Sequence, residues 1–248
     1  MNQFDKFEDP RRRTLIQALT AGLFSAGLPL ANFSNALAQS AFGDRPTRLP
    51  SNKSIYRLVG SASVNGTPAN MDTIIRVGDT VETGKDSELV FVVGSNSMIL
   101  RSDCKLVIEG DKKESDSWLI TGCRLLAGKL LSASRNTNMV LTTTTATVGI
   151  RGTGWYAESD PEQTYFCTCY GRVDVAATHD PQARETVTSK YHDRPLYILG
   201  KSAGAKAIRN APFINHTDQE LMLIEALVGR TPPFVFSKDS YSGPRRGY

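Results

Sequence analysis

From Ile55 to about Val175 the chain is written in short apolar or alternating runs separated by Gly, Asn and Asp. Ile55–Val59, Thr73–Val77, Ser87–Val93, Ser97–Arg101, Cys104–Glu109 and Trp118–Cys123 have strand length and β-branched or aromatic content. So do Lys129–Ser132, Met139–Thr143, Trp155–Glu158, Thr164–Cys169 and Val173–Ala176. This pattern predicts an all-β unit. Asn65-Gly66 and Gly78-Asp79 supply residues that tolerate positive φ where the chain must reverse. The polar stretch from Gly110 to Ser117 reads as a hairpin loop. With the hairpin centred between Lys113 and Glu114, Glu109 faces Trp118 and Cys104 faces Cys123. That register predicts a Cys104–Cys123 disulfide, since cross-strand neighbours lie within bridging distance.

One helix is signalled, after the strands. Thr217-Asp218-Gln219-Glu220 is a capping box, and Leu221, Ile224, Leu227 and Val228 recur on one face. Gly229 can end the helix and Pro232-Pro233 prevents its continuation, so a helix over 218–228 is expected, docked by its apolar face. The remainder divides into a spacer at 39–54, a β domain at 55–178, a C-terminal extension at 179–236 and a polar tail at 237–248. Within the extension, the mixed-charge stretch from His179 to Arg194 reads as a surface loop.

The first forty residues read as an address. Arg11-Arg12-Arg13 precedes 30 residues, Thr14–Gly43, without a charge, and Ala36-Leu37-Ala38 has the small residues of a cleavage site. Arg12-Arg13-Thr14-Leu15-Ile16-Gln17 is similar to the twin-arginine export pattern, with Leu15 and Gln17 in place of the usual Phe and Lys. The general secretory route is the alternative. Cleavage after Ala38 implies periplasmic localisation with no stable membrane span left. The competing reading is an uncleaved inner-membrane anchor, which Gln17, Pro29, Asn32, Ser34 and Asn35 dilute.

Charge narrows the classes of partner. Lys+Arg number 29 against 25 Asp+Glu, and the basic residues are scattered, so no nucleic-acid footprint is expected. The signal segment carries four positive and three negative charges, which leaves the remainder at +3 of the formal +4.

Two blocks of residues carry a family resemblance. Val64-Asn65-Gly66-Thr67-Pro68-Ala69, followed by Ile75-Arg76-Val77-Gly78-Asp79-Thr80-Val81-Glu82-Thr83-Gly84, resembles the opening of FecR domains. Leu126-Ala127-Gly128-Lys129-Leu130 and Thr145 to Trp155 are similar to the second half of that family. The resemblance spans roughly 57 to 176 and implies a periplasmic β-roll or solenoid-like module that senses or relays envelope signals. Family members contact outer-membrane iron-siderophore receptors and control a sigma factor from a cytoplasmic N-terminal domain. This chain has about a dozen residues before its apolar run, too few for that domain. The resemblance therefore implies an exported binding module whose partner is an envelope protein or a small ligand, with iron-related signalling as the context.

The chemistry-bearing residues are few. His179, His192 and His216 are the histidines and Cys104, Cys123, Cys167 and Cys169 the cysteines. On a strand Cys167 and Cys169 project to one face, about 6.5 Å apart at Cα, which strains a direct bridge between them. Two thiolates on one face can share a soft metal, and His192 and His216 would complete a tetrahedral Cys₂His₂ set for zinc or copper. His216 precedes the capping Thr217, where the helix dipole favours a neutral imidazole. The bland alternative is two disulfides, with three connectivities open.

Gly149-Ile150-Arg151-Gly152-Thr153-Gly154 lacks the ending of a P-loop and the spacing of a dinucleotide site. It reads as a tight backbone approach with Arg151 paired to a carboxylate. Thr142 to Thr145 reads as β-branched strand filling, though an exposed Thr ladder could bind sugars or another protein's strand. No H-E-x-x-H string is present, and Asp72, Asp79, Glu82, Asp86 and Glu88 cluster at turns. The expectation is therefore a non-enzymatic binding protein with no catalytic residues and no cofactor. The alternative is a periplasmic metal-binding protein built on Cys167, Cys169, His192 and His216.

Overall fold

The structure, a computed structural model, describes residues 46–112, 118–134, 138–180, 182–201 and 206–233. The expected signal segment, the first part of the spacer, the tip of the hairpin loop and the tail lie outside the described residues. Among the described residues, fourteen strands and one helix are formed. The strands are β1 (Ile55–Val59), β2 (Ala62–Val64), β3 (Thr67–Pro68), β4 (Thr80–Thr83), β5 (Glu88–Val93), β6 (Asn96–Leu100) and β7 (Lys105–Lys112). They continue as β8 (Trp118–Ala133), β9 (Met139–Thr142), β10 (Ala146–Ser159), β11 (Gln163–Ala177), β12 (Arg184–Ser189), β13 (Leu196–Leu199) and β14 (Ile208–Asn210). Helix α1 (Asp218–Leu227) follows. The protein is all-β with a short C-terminal helix.

The three long strands organise the rest. The first part of β8 pairs with β7 and β9, and its last part pairs with β6 and β10. Likewise β10 pairs with β9 early and β8 late, and is joined to β11 along its length. β11 pairs with β13 at residues 163–166 and with β12 at 171–176. One open sheet thus forks into two halves that share β8, β10 and β11, with β1, β5, β6, β13 and β14 on one side of the fork. Alternation sorts the side chains: Leu89, Phe91, Met98, Leu100, Leu130, Trp155 and Phe166 enter the main core, while Val90, Ile99, Leu131 and Tyr156 face the other way. That second face is covered by Leu221, Ile224 and Leu227 of α1.

The turn residues behave as their chemistry requires. Asn65 and Gly66, at φ 53° and 78°, connect β2 to β3 as a two-residue hairpin turn. α1 carries the complete capping box. Glu220 N–H donates to Thr217 Oγ1 at 3.3 Å and Thr217 N–H donates to Glu220 Oε2 at 2.9 Å. No helix among the described residues is long and apolar enough to cross a membrane.

Four expectations change. Thr73–Val77 is not a strand, because Ile75 N–H donates to Ser54 Oγ at 3.0 Å rather than to a neighbouring strand. The runs Trp118–Cys123 and Lys129–Ser132 belong to one strand, as do Thr164–Cys169 and Val173–Ala176. Past Thr178 the sheet continues through β12, β13 and β14, so much of the expected surface loop and extension is sheet.

The hairpin register also differs. Lys112 faces Trp118 and Ile108 faces Cys123, with irregularities at Glu109/Gly110 and Lys105/Leu106. Cys104 lies just before β7, where Lys129 N–H donates to its Sγ at 2.9 Å. The expected Cys104–Cys123 disulfide is not formed: both are buried free thiols.

The Gly149–Gly154 segment runs inside β10 as a bulge rather than a phosphate loop. Gly154 is required there because a Cβ would come within 2.4 Å of the Tyr170 ring. Arg151 Nε donates to Asp174 Oδ2 at 3.0 Å, the expected carboxylate pairing. Thr143 and Thr145 of the Thr run are buried at the β9–β10 turn, where Thr145 Oγ1 donates to Ile198 O and lies beside Thr164 Oγ1, each at 2.8 Å.

Candidate metal centre

Cys167 and Cys169 stand on β11 where its outer edge lacks a strand partner. β13 occupies the edge up to Phe166 and β12 resumes it at Gly171. The loop between β12 and β13 fills the gap, and His192 N–H donates to Cys169 O at 3.0 Å. This loop is shaped by Asp193, whose Oδ2 accepts from Lys190 N–H at 2.6 Å and Tyr191 N–H at 3.3 Å. His192 takes a positive φ of 50°, a conformation that His tolerates better than most residues. Asn215, at φ 62°, turns the chain so that His216 enters the same space immediately before the helix cap.

Four side chains from three segments converge there. Cys167 Sγ lies 3.4 Å from His192 Nδ1, and Cys169 Sγ lies 3.4 Å from His216 Nε2. The two ring nitrogens are 3.3 Å apart. All four ligand atoms fall within 4.8 Å of one another, and all four residues are buried. Zinc bonds of roughly 2.0–2.1 Å to nitrogen and 2.3 Å to sulfur give tetrahedral edges of about 3.3 Å between nitrogens and about 3.5 Å between nitrogen and sulfur. The one nitrogen–nitrogen and two nitrogen–sulfur separations given match those edges.

The outward-facing ring nitrogens are also engaged. His192 Nε2 donates to Asp218 Oδ1 at 3.0 Å, and His216 Nδ1 donates to Ile214 O at 2.7 Å. Each bond fixes a tautomer and aims the other nitrogen's lone pair inward, the outer-shell arrangement typical of metal-ligating histidines. Tyr191 Oη donates to Asp218 Oδ2 at 2.6 Å, which orients the carboxylate in turn.

The electrostatics reflect the crowding. Burial works against charge on Cys167, yet hydrogen bonds from Cys169, His192 and His216 hold its thiol well below the ordinary value. Burial, reinforced by Cys167, holds Cys169 well above it. Burial disfavours the His192 cation, but hydrogen bonds to Asp218 and Cys167 outweigh it and bring the imidazole to about 9.

Aromatic rings enclose it. Tyr156 stacks on His216 with ring centres 4.5 Å apart, and Phe213 lies 4.4 Å from His192 and 4.6 Å from His216. Phe213 is 46% exposed and closes the solvent side. Four candidate ligands would leave a tetrahedral ion no open position, the arrangement of structural rather than catalytic sites.

All four residues proposed from sequence are brought together, whereas His179 lies elsewhere, at the turn after β11. Asp218, Tyr156, Tyr191 and Phe213 escaped the sequence reading. Asp218 had already been assigned to the first turn of the helix, and its place two residues after His216 was the available signal.

No family model matches the chain, and no curated protein does. Among solved structures, two crystal structures of a protein from Parabacteroides distasonis, provisionally assigned as an anti-sigma factor, are similar to it. They were determined at 1.65 and 2.50 Å resolution. The likeness has a TM-score of 0.41 with 9% and 8% identity, and covers 53% of this chain and 58% of those. This chain thus spans under two thirds of the neighbours' length, and likeness at that level assigns neither family nor activity.

Proposed function

We propose that this protein is an exported, non-enzymatic β module that binds one tetrahedral metal ion, zinc by preference, through Cys167, Cys169, His192 and His216. The carrying observation is the convergence of four buried ligand atoms within 4.8 Å of one another, each imidazole tautomer held by an outer acceptor. Zinc suits a closed Cys₂His₂ shell because it has no geometric preference to violate and no redox chemistry to manage. Such sites contribute on the order of 10 kcal/mol to folding near neutral pH. The metal's role here is to fasten the C-terminal segment and the β12–β13 loop to β11.

The resemblance of residues 64–84 and 145–155 to FecR domains supports the wider reading of an envelope-signalling module. Another envelope protein or a small ligand is its partner in that reading, and iron-related signalling its setting. Periplasmic localisation rests on the first 38 residues.

Elemental analysis of the protein purified from its own host, beside thiol titration under denaturing conditions, tests the metal centre. One equivalent of zinc with four titratable thiols is expected. Metal-free protein that takes up no added zinc, or Cys167 and Cys169 found in disulfides, would falsify it.

A further inference from the structure

The branch of the sheet built from β9, β10, β11 and β12 has two unlike faces. Leu141, Val148, Val175 and Val187 turn inward to the main core. The alternate positions turn outward, and strand pairing aligns them in rows. One row runs Val140, Gly149, Asp174, Thr186, and the next Thr142, Thr147, Ala176, Arg184. A third, beyond the end of β9, runs Arg151, Arg172, Thr188. A trough of about 480 Å³ lies in this face, with Val140 on one side of Gly149 and Asp174, Arg184 and Thr186 on the other. That volume is within the range of small-molecule sites.

Nothing in the fold requires glycine at 149. The other glycines inside described strands have reasons: Gly128, Gly152 and Gly171 take positive φ, and a Cβ at Gly110, Gly122 or Gly154 would stand under 3.0 Å from a neighbouring atom. Gly149 does not take a positive φ, and a Cβ there would meet nothing closer than Asp174 O at 3.7 Å, an ordinary contact. A glycine in mid-strand weakens the strand, and one with room above it marks a place that another molecule approaches closely.

The polar groups around the trough are held in position. Asp174 accepts from Thr186 Oγ1 at 2.7 Å through Oδ1 and from Arg151 Nε at 3.0 Å through Oδ2. Glu185, on the alternate side of β12, is engaged by Arg194. The outward positions therefore set three arginines, Arg151, Arg172 and Arg184, against a single acid, beside the hydroxyls of Thr147 and Thr186. The excess of positive charge suits an oxyanion, and the hydroxyls and the fixed carboxylate suit partners that both donate and accept.

We infer that this trough binds an acidic sugar unit, a ring of hydroxyls carrying a carboxylate or a phosphate. The ring lies over the bare backbone at Gly149 and against Val140, its hydroxyls meet Thr147, Thr186 and Asp174, and its acid group meets Arg172 and Arg184. The site shares no residue with the metal centre and stands independently of it.

Saturation-transfer NMR on the protein purified from its own host tests this, with glucuronate, glucose 6-phosphate and glucose as probes. An acidic probe is expected to bind with millimolar affinity and glucose at least about tenfold more weakly. Tighter binding of glucuronate assigns the acid group as a carboxylate, and tighter binding of glucose 6-phosphate as a phosphate. R172Q should weaken the acidic probe about tenfold and leave glucose unchanged. G149L fills the trough and should abolish transfer while melting no lower than the parent, because its Cβ has room and its backbone conformation suits any residue. Failure of both acids to bind, glucose binding as tightly as they do, or binding retained in G149L each overturns the inference. So does a G149L protein that melts well below the parent, since the fold itself would then need the glycine. Zinc content, measured on the same samples, bears on the metal centre alone.

Discussion

The molecule contains two pairs of buried cysteines, and they met different fates. Cys167 and Cys169 lie two apart on one strand with an imidazole beside each sulfur. Cys123 lies on β8 and Cys104 just before its partner β7, not opposite one another, and neither joins a His/Cys cluster among the described residues. Side chains two apart on a strand share a face whatever the strand pairs with. A cross-strand pair depends on register, which a single bulge displaces. Convergence within one strand is thus the sturdier inference from sequence.

The sharpest way to break the comparison is to remove each pair. The C167S/C169S variant should lose metal altogether and melt at least about 10 °C lower, on the scale of a lost structural zinc. The C104S/C123S variant should keep one equivalent, as elemental analysis of both proteins will report. Next in size is acid. Metal binding needs thiolates and neutral imidazoles, so the stabilisation is present in full at higher pH and is lost as pH falls and protons displace the ion. Zinc release to a chromogenic chelator, followed from pH 8 downward, checks the sign; metal retained better in acid than at neutrality would contradict it.

Smaller effects separate the two regions further. D218N keeps the shape but removes the charge that aims His192, and metal affinity should drop about 10- to 100-fold in a chelator competition. At the other pair, Gly128 has φ +91° and a Cβ there would stand 2.2 Å from Cys104 Sγ. G128A should therefore destabilise by about 2 kcal/mol in urea unfolding without changing zinc affinity. C123A, which trims a fully buried side chain of the main core, should cost about 1 kcal/mol and leave the metal centre untouched.

Much of the fold was legible because the local signals were physically complete. The capping box and the Leu221/Ile224/Leu227 stripe placed α1 to within one residue at its end. Ile55–Val59 matched β1 because its pattern met no competing turn. Glycine misled where it sits inside a strand. Gly128 and Gly171, at φ +91° and +96°, read as punctuation, yet β8 and β11 pass through them. β12 escaped notice because it buries only Val187 and Ser189, and a strand at the margin needs little apolar content. At the candidate metal centre the four side chains that cluster were legible and their supports were not. Asp218 reaches His192 across 26 positions of chain, a proximity that only the fold creates.

The forked sheet has a mechanical consequence. Because β8, β10 and β11 run unbroken from one branch of the fork into the other, there is no seam along which the branches could slide or hinge. A load applied at either branch must shear long ladders of backbone bonds at once. Compliance is left to the parts outside those ladders, and the domain should yield at its β12–β13 loop long before its β scaffold gives way.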